Sequence, residues 1–110
     1  MQRAKELFDE IDQAGRKHDK KRTLVDITGM LQFESAPVIE RFEIAAYVGE
    51  TQTRGTRTAF LLSEKQMMPD KFGENVAVNR GGNVITTTDL KEALEWLGVA
   101  SANEAVGGDV

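Results

Sequence analysis

Cysteine is missing from this chain of 110 residues, which removes disulfides, thiolate zinc sites and cysteine nucleophiles together. No apolar run approaches the ~18 residues that a membrane-spanning helix needs, and no charged-then-apolar leader opens the chain. Neither secretion nor a membrane span is expected, and the reading is cytoplasmic. A surplus of positive charge is missing too. The formal net charge is -4, whereas neutralising nucleic-acid phosphates takes a clear basic surface, so no nucleic-acid partner is expected. Histidine occurs once. It is His18, inside the basic run Arg16 to Arg22, and no serine or cysteine nucleophile sits in a recognisable elbow. The run reads as a solvated helix end, where cations suit the helix dipole.

What is present is apolar periodicity. The length suits one core. Ala4, Leu7, Phe8, Ile11 and Ala14 recur at three- and four-residue steps, which predicts an amphipathic helix from Met1 to about Lys17. Thr23 to Thr28, closed by Gly29, is a short β-rich run and is expected to be a buried strand. Ser35 is a candidate N-cap, with Pro37 in the first turn, for a helix over about 36–48. That helix places Val38, Ile39, Phe42, Ala45 and Ala46 near one face, and Gly49 supplies its stop. Glu50 to Arg54 reads as a loop.

Thr58 to Leu62 is the second strand, apolar enough to be covered on both faces. A short helix over about 70–80 is expected to turn Phe72 and Val76 inward, with Gly81 or Gly82 as the left-handed stop. Asn83 to Thr87 is the third strand. Thr88 or Asp89 then caps the last helix, with Asp89 and Glu92 at capping-box spacing. Leu90, Ala93, Leu94 and Leu97 make its apolar stripe, flanked by Trp96. Residues 1–99 are thus read as one α/β domain, its sheet mostly parallel and flanked by helices. The tail 100–110 is small, polar and glycine-containing, and disorder is expected there. Three strands make a narrow sheet, so one edge is expected to be paired or covered.

Three segments, taken in order, resemble a known family. Thr23 to Met30 resembles the strand before the signature loop of STAS, or SpoIIAA-like, domains. Phe72 to Val84 resembles a recurring helix-turn-strand segment of small bacterial members of that superfamily. Glu92-Ala93-Leu94-Glu95-Trp96-Leu97 resembles their closing helix. The likeness covers about residues 4–98 and implies a SpoIIAA-like sheet with a role in protein switching or apolar-ligand binding. Regulatory members carry an Asp-Ser-Ser-Gly loop phosphorylated at its second serine. The equivalent stretch here is Glu34-Ser35-Ala36-Pro37, with alanine at the phosphoacceptor position. Family members also place one or two strands before the helix that this chain begins with, so the resemblance implies a shortened start or an edge completed by a second subunit.

In open parallel sheets, ligands bind at the carboxyl ends of the strands. The candidate ligand or interaction rim is therefore Thr28, Ser63, Glu64, Thr86 and Thr87, with Asp26 slightly deeper and the Ser35 hydroxyl nearby. An aspartate such as Asp26, inside an apolar strand, needs a partner or a surface position. A phosphorylated receiver aspartate would want an acidic pair and a lysine after other strands, and neither is in place. Gly81-Gly82 and Gly107-Gly108 lack phosphate-loop context. Met67 and Met68 suit the edge of an apolar pocket. No catalytic, cofactor-binding or metal-binding residue is assigned. The expectation is a non-enzymatic regulatory or interaction domain, working through the helix after Ser35 and through contacts in a homo-oligomer or with a protein partner. The alternative is a small carrier holding a lipid-like or other apolar ligand between sheet and helices, near Phe42, Phe72 and Met67. A third possibility is an enzyme subunit completed by a partner chain.

Overall fold

Strands that are apolar on both faces need helices on both faces, and the chain supplies them in alternation. In a computed structural model of the protein, the described residues are 2–17, 21–29, 38–98 and 106–109. Helix α1 spans Gln2–Lys17, strand β1 Arg22–Asp26 and helix α2 Val38–Thr51. Strand β2 is Arg57–Leu61. A 3-10 turn at Pro69–Lys71 leads into helix α3, Phe72–Asn79. Strand β3 is Val84–Thr87, helix α4 Leu90–Leu97 and strand β4 Val106–Asp109.

All the strand pairings are parallel, in the order β3-β2-β1-β4. Successive strand residues face opposite sides of a sheet, and the packing follows that rule. Leu24 and Ala59 meet Ala93 and Leu97 of α4 on one face. Val25, Ile27, Phe60, Leu62 and Val84 face α1, α2 and α3 on the other. Ala59, Ala93 and Leu97 are fully buried. The last helix begins as expected from its sequence. The Asp89 carboxylate accepts from the Lys91 amide at 2.9 Å, and Gly98 closes the helix at φ 77°.

Several expectations need correction. The second helix does not stop at Gly49 but runs to Thr51. A Cβ on Gly49 would lie 2.3 Å from the Ala77 carbonyl oxygen, so this glycine serves the close crossing of α2 and α3. The helix expected over about 70–80 is interrupted, because Asp70 and Lys71 both take left-handed backbone angles before α3 begins. Val76 is buried as expected, but Phe72 is 39% exposed and stacks on Phe42, with ring centroids 6.2 Å apart. The expected disorder of the whole tail gives way at Val106–Asp109, which pairs with β1 from Thr23 to Asp26. That strand covers the β1 edge, so the edge does not need a second subunit.

Candidate functional site

Helix α1 is fastened to α2 and the segment after it by two of its carboxylates. The Tyr47 hydroxyl donates to Asp9 at 2.6 and 2.7 Å. Thr53 donates to Asp12 from both its hydroxyl, at 2.6 Å, and its amide, at 3.2 Å. The hydrogen bond to Asp9 holds the Tyr47 phenol above its ordinary pKa of 10.0, aided by desolvation and by the charge of Asp9. These bonds set the height of Leu7, Phe8 and Ile11 above the strands.

Beneath them is a cavity of about 110 Å³. Val25, Ile27, Phe60 and Leu62 line it from the sheet, and Ile44, Ala45 and Val48 from α2. Gln66 closes the side between the ends of β1 and β2. Its side-chain amide donates to the Ile27 carbonyl at 2.7 Å, and its carbonyl accepts from the Ser63 amide at 2.8 Å. Burying a glutamine fully is tolerable because those backbone groups would otherwise lack partners.

Three charged residues also line the space: Arg41, Lys71 and Glu74. The Glu74 carboxylate accepts from the Thr86 amide at 2.7 Å. Lys71 lines the cavity and is exposed, so it stands where the cavity meets solvent. It is held there by strained backbone. Asp70 (φ 56°, ψ 25°) and Lys71 (φ 54°, ψ 43°) are successive left-handed residues with side chains. Such a conformation costs about 1–2 kcal/mol per non-glycine residue.

The rim expected from sequence does not come together as one site. Ser35 lies outside the described residues. Asp26 is half-buried at the end of β1, and it accepts from the Thr28 amide at 2.9 Å and the Thr28 hydroxyl at 2.6 Å. That local turn is the partner its position required. Glu64 is exposed. The Ser63 hydroxyl is buried and has no hydrogen-bond partner among the described residues. Strand alternation sends Thr86 and Thr87 to opposite faces. Thr86 lines the cavity, whereas the buried Thr87 hydroxyl accepts from the Asp89 amide at 3.1 Å.

Of the residues expected near an apolar ligand, Met67 packs against the Val25, Ile27 and Leu62 cluster, while Met68 lines the cavity. Arg41, Gln66, Lys71 and Glu74 were not anticipated. Gln66 left one faint signal, a polar residue four positions beyond the expected strand end at Leu62. Among the described residues no group of three or more His, Asp or Glu is placed to hold a metal ion, and no helix is long and apolar enough to cross a membrane. No family model, curated protein or solved structure matches the chain.

Proposed function

We propose that this chain is a non-enzymatic binding domain whose cavity, between the sheet and α1, α2 and α3, holds a small apolar ligand. The single observation behind this reading is an apolar-lined space of about 110 Å³ between the sheet and the helices. Protein interiors close such spaces when they can, because unfilled apolar volume forfeits dispersion contacts. The size sets the class of ligand. An apolar cavity of ~150 Å³ takes up benzene, whereas pockets for drug-sized molecules run from ~300 Å³ upward. The occupant is therefore one ring or a short branched chain, which narrows the lipid-like reading to something shorter than a fatty acyl chain. The polar groups here act as anchors and not as a reaction centre, since Gln66 and Glu74 are both committed to backbone groups.

Native mass spectrometry and a melting series test this reading. Cyclopentane, benzene and naphthalene, each added in excess, should raise the melting temperature for the first two and not for the third. No shift with any of them would remove the reading. Ala45→Leu, which fills the space from α2, should abolish the shifts.

A regulatory reading through protein contacts follows from the STAS resemblance, and one observation favours it. Ile39, in the first turn of α2, is 63% exposed, on the helix expected to meet a partner. Light scattering distinguishes this reading. An oligomer that Ile39→Asp dissociates supports it, and a strict monomer at high concentration counts against it.

A further inference from the structure

We infer that the ligand of this cavity is a small organic anion, a ring or short branched hydrocarbon carrying one carboxylate that the Lys71 ammonium receives. The inference rests on the binding reading above and adds the ligand's charge and orientation. Three observations carry it. First, the cavity is apolar on the sides given by α1, the sheet and most of α2, and its charged groups are Arg41, Lys71 and Glu74. Lys71 is the exposed cation among them, and the Glu74 carboxylate is tied to the Thr86 amide at 2.7 Å. Second, Lys71 both lines the space and is exposed, so an anionic group beside it keeps part of its hydration while the hydrocarbon is buried. A charge carried deeper would lie among mostly apolar side chains such as Ile44, Val25 and Phe60, at a large desolvation cost. Third, the backbone that sets Lys71 there is strained, with left-handed angles at both Asp70 and Lys71. Glycine or asparagine would take those angles more easily. Strain kept with a side chain in place is a mark of residues that serve a function.

The orientation follows. The ring lies under Leu7, Phe8 and Ile11 and over Val25 and Phe60, and the carboxylate points toward Lys71 and the start of α3. Nearby, Phe42 and Phe72 stack on each other, with their rings inclined by 29°.

Calorimetric titration of the full chain with benzene, benzamide and benzoate tests the inference, because the last two share a shape and differ in charge. Benzoate should bind about ten-fold or more tighter than benzamide, the usual size of a charge-assisted hydrogen bond. The difference should shrink as salt is added. Lys71→Gly should erase the preference for benzoate over benzamide and leave the melting temperature equal or higher because strain is relieved. Lys71→Arg should keep the preference, and Lys71→Asn gives a second neutral variant that tolerates the same backbone angles. If benzene binds but benzoate is no tighter than benzamide, the anion inference is overturned and the apolar site stands. If Lys71→Gly and Lys71→Asn bind benzoate as the wild type does, Lys71 is not the receiver and the inference also falls. If benzene itself does not bind, the binding reading beneath it has failed.

Discussion

The side chain of Gln66 donates to the backbone carbonyl of Ile27 at 2.7 Å, joining residues 39 positions apart at the carboxyl edge of the sheet. With the Ser63 amide bound to its other end, this one buried glutamine completes the backbone bonding where β1 and β2 separate. Gln66→Met keeps most of the volume and removes both bonds. Leaving a buried backbone group unpaired costs about 1–3 kcal/mol, so the variant should lose roughly 2–4 kcal/mol in urea unfolding with an unchanged slope. A loss below roughly 0.5 kcal/mol, as for ordinary surface changes, would mean that these groups find other partners.

Replacing glycine by alanine inside a helix is ordinarily favourable by about 0.5–1 kcal/mol. At Gly49 the sign should reverse. The new Cβ would sit 2.3 Å from the Ala77 carbonyl oxygen and 2.8 Å from the Arg80 Cβ, so α2 and α3 must separate. Gly49→Ala should be destabilised by about 1–3 kcal/mol, the usual range for overpacking. Thermal unfolding alongside an exposed alanine substitution gives the comparison.

Tyr47 is the chain's single tyrosine, so tyrosinate absorbance reports on it alone. Its pKa should lie above 10.0 in the native protein, because the hydrogen bond to Asp9 favours the neutral phenol. Asp9→Asn should bring it back toward 10.0. The linkage runs in one direction. A phenol that holds its proton more tightly when folded contributes stability below the unfolded value, and that contribution is lost as pH rises through the folded one. Tyr47→Phe should therefore be less stable than wild type near neutral pH, and the gap should narrow above about pH 10. A gap that is constant across that range would contradict the role given to Asp9.

Leu97 is fully buried against Leu24, Ala59 and Ala93. Leu97→Ala should lose about 2–5 kcal/mol, and Asp89→Ala, which removes the cap bond to Lys91, about 1 kcal/mol. Circular dichroism during urea unfolding measures both. If Asp89→Ala loses more than Leu97→Ala, α4 is held by its start and not by its packing.

The fastening of α4 was legible because each part of it is local in sequence. An aspartate precedes the stripe and apolar residues follow at helical spacing, whereas the closing glycine, Gly98, is seen only in the structure. The strand at Val106–Asp109 was not legible. Two glycines among its four residues give no strand pattern, and its pairing comes from the distant edge of β1. The same limit hides the cavity. Leu7, Phe8 and Ile11 announce which face of α1 is buried, but periodicity does not say whether the opposing residues fill the space beneath. Lys71 was invisible for another reason, since nothing in Pro69-Asp70-Lys71-Phe72 signals left-handed angles at residues that are not glycine. The division of Thr86 from Thr87, by contrast, follows from strand alternation alone.

The most direct measurement is the set of intermolecular nuclear Overhauser effects between bound benzene and methyl-labelled protein. The account predicts saturable contacts to methyls of Leu7, Ile11, Ile44, Val48 and Leu62, none to Ile85 or Leu94 on the α4 face, and loss of all of them in Ala45→Leu. Contacts on the α4 face, or none at saturating benzene, would contradict the claim that the space beneath α1 is a binding site.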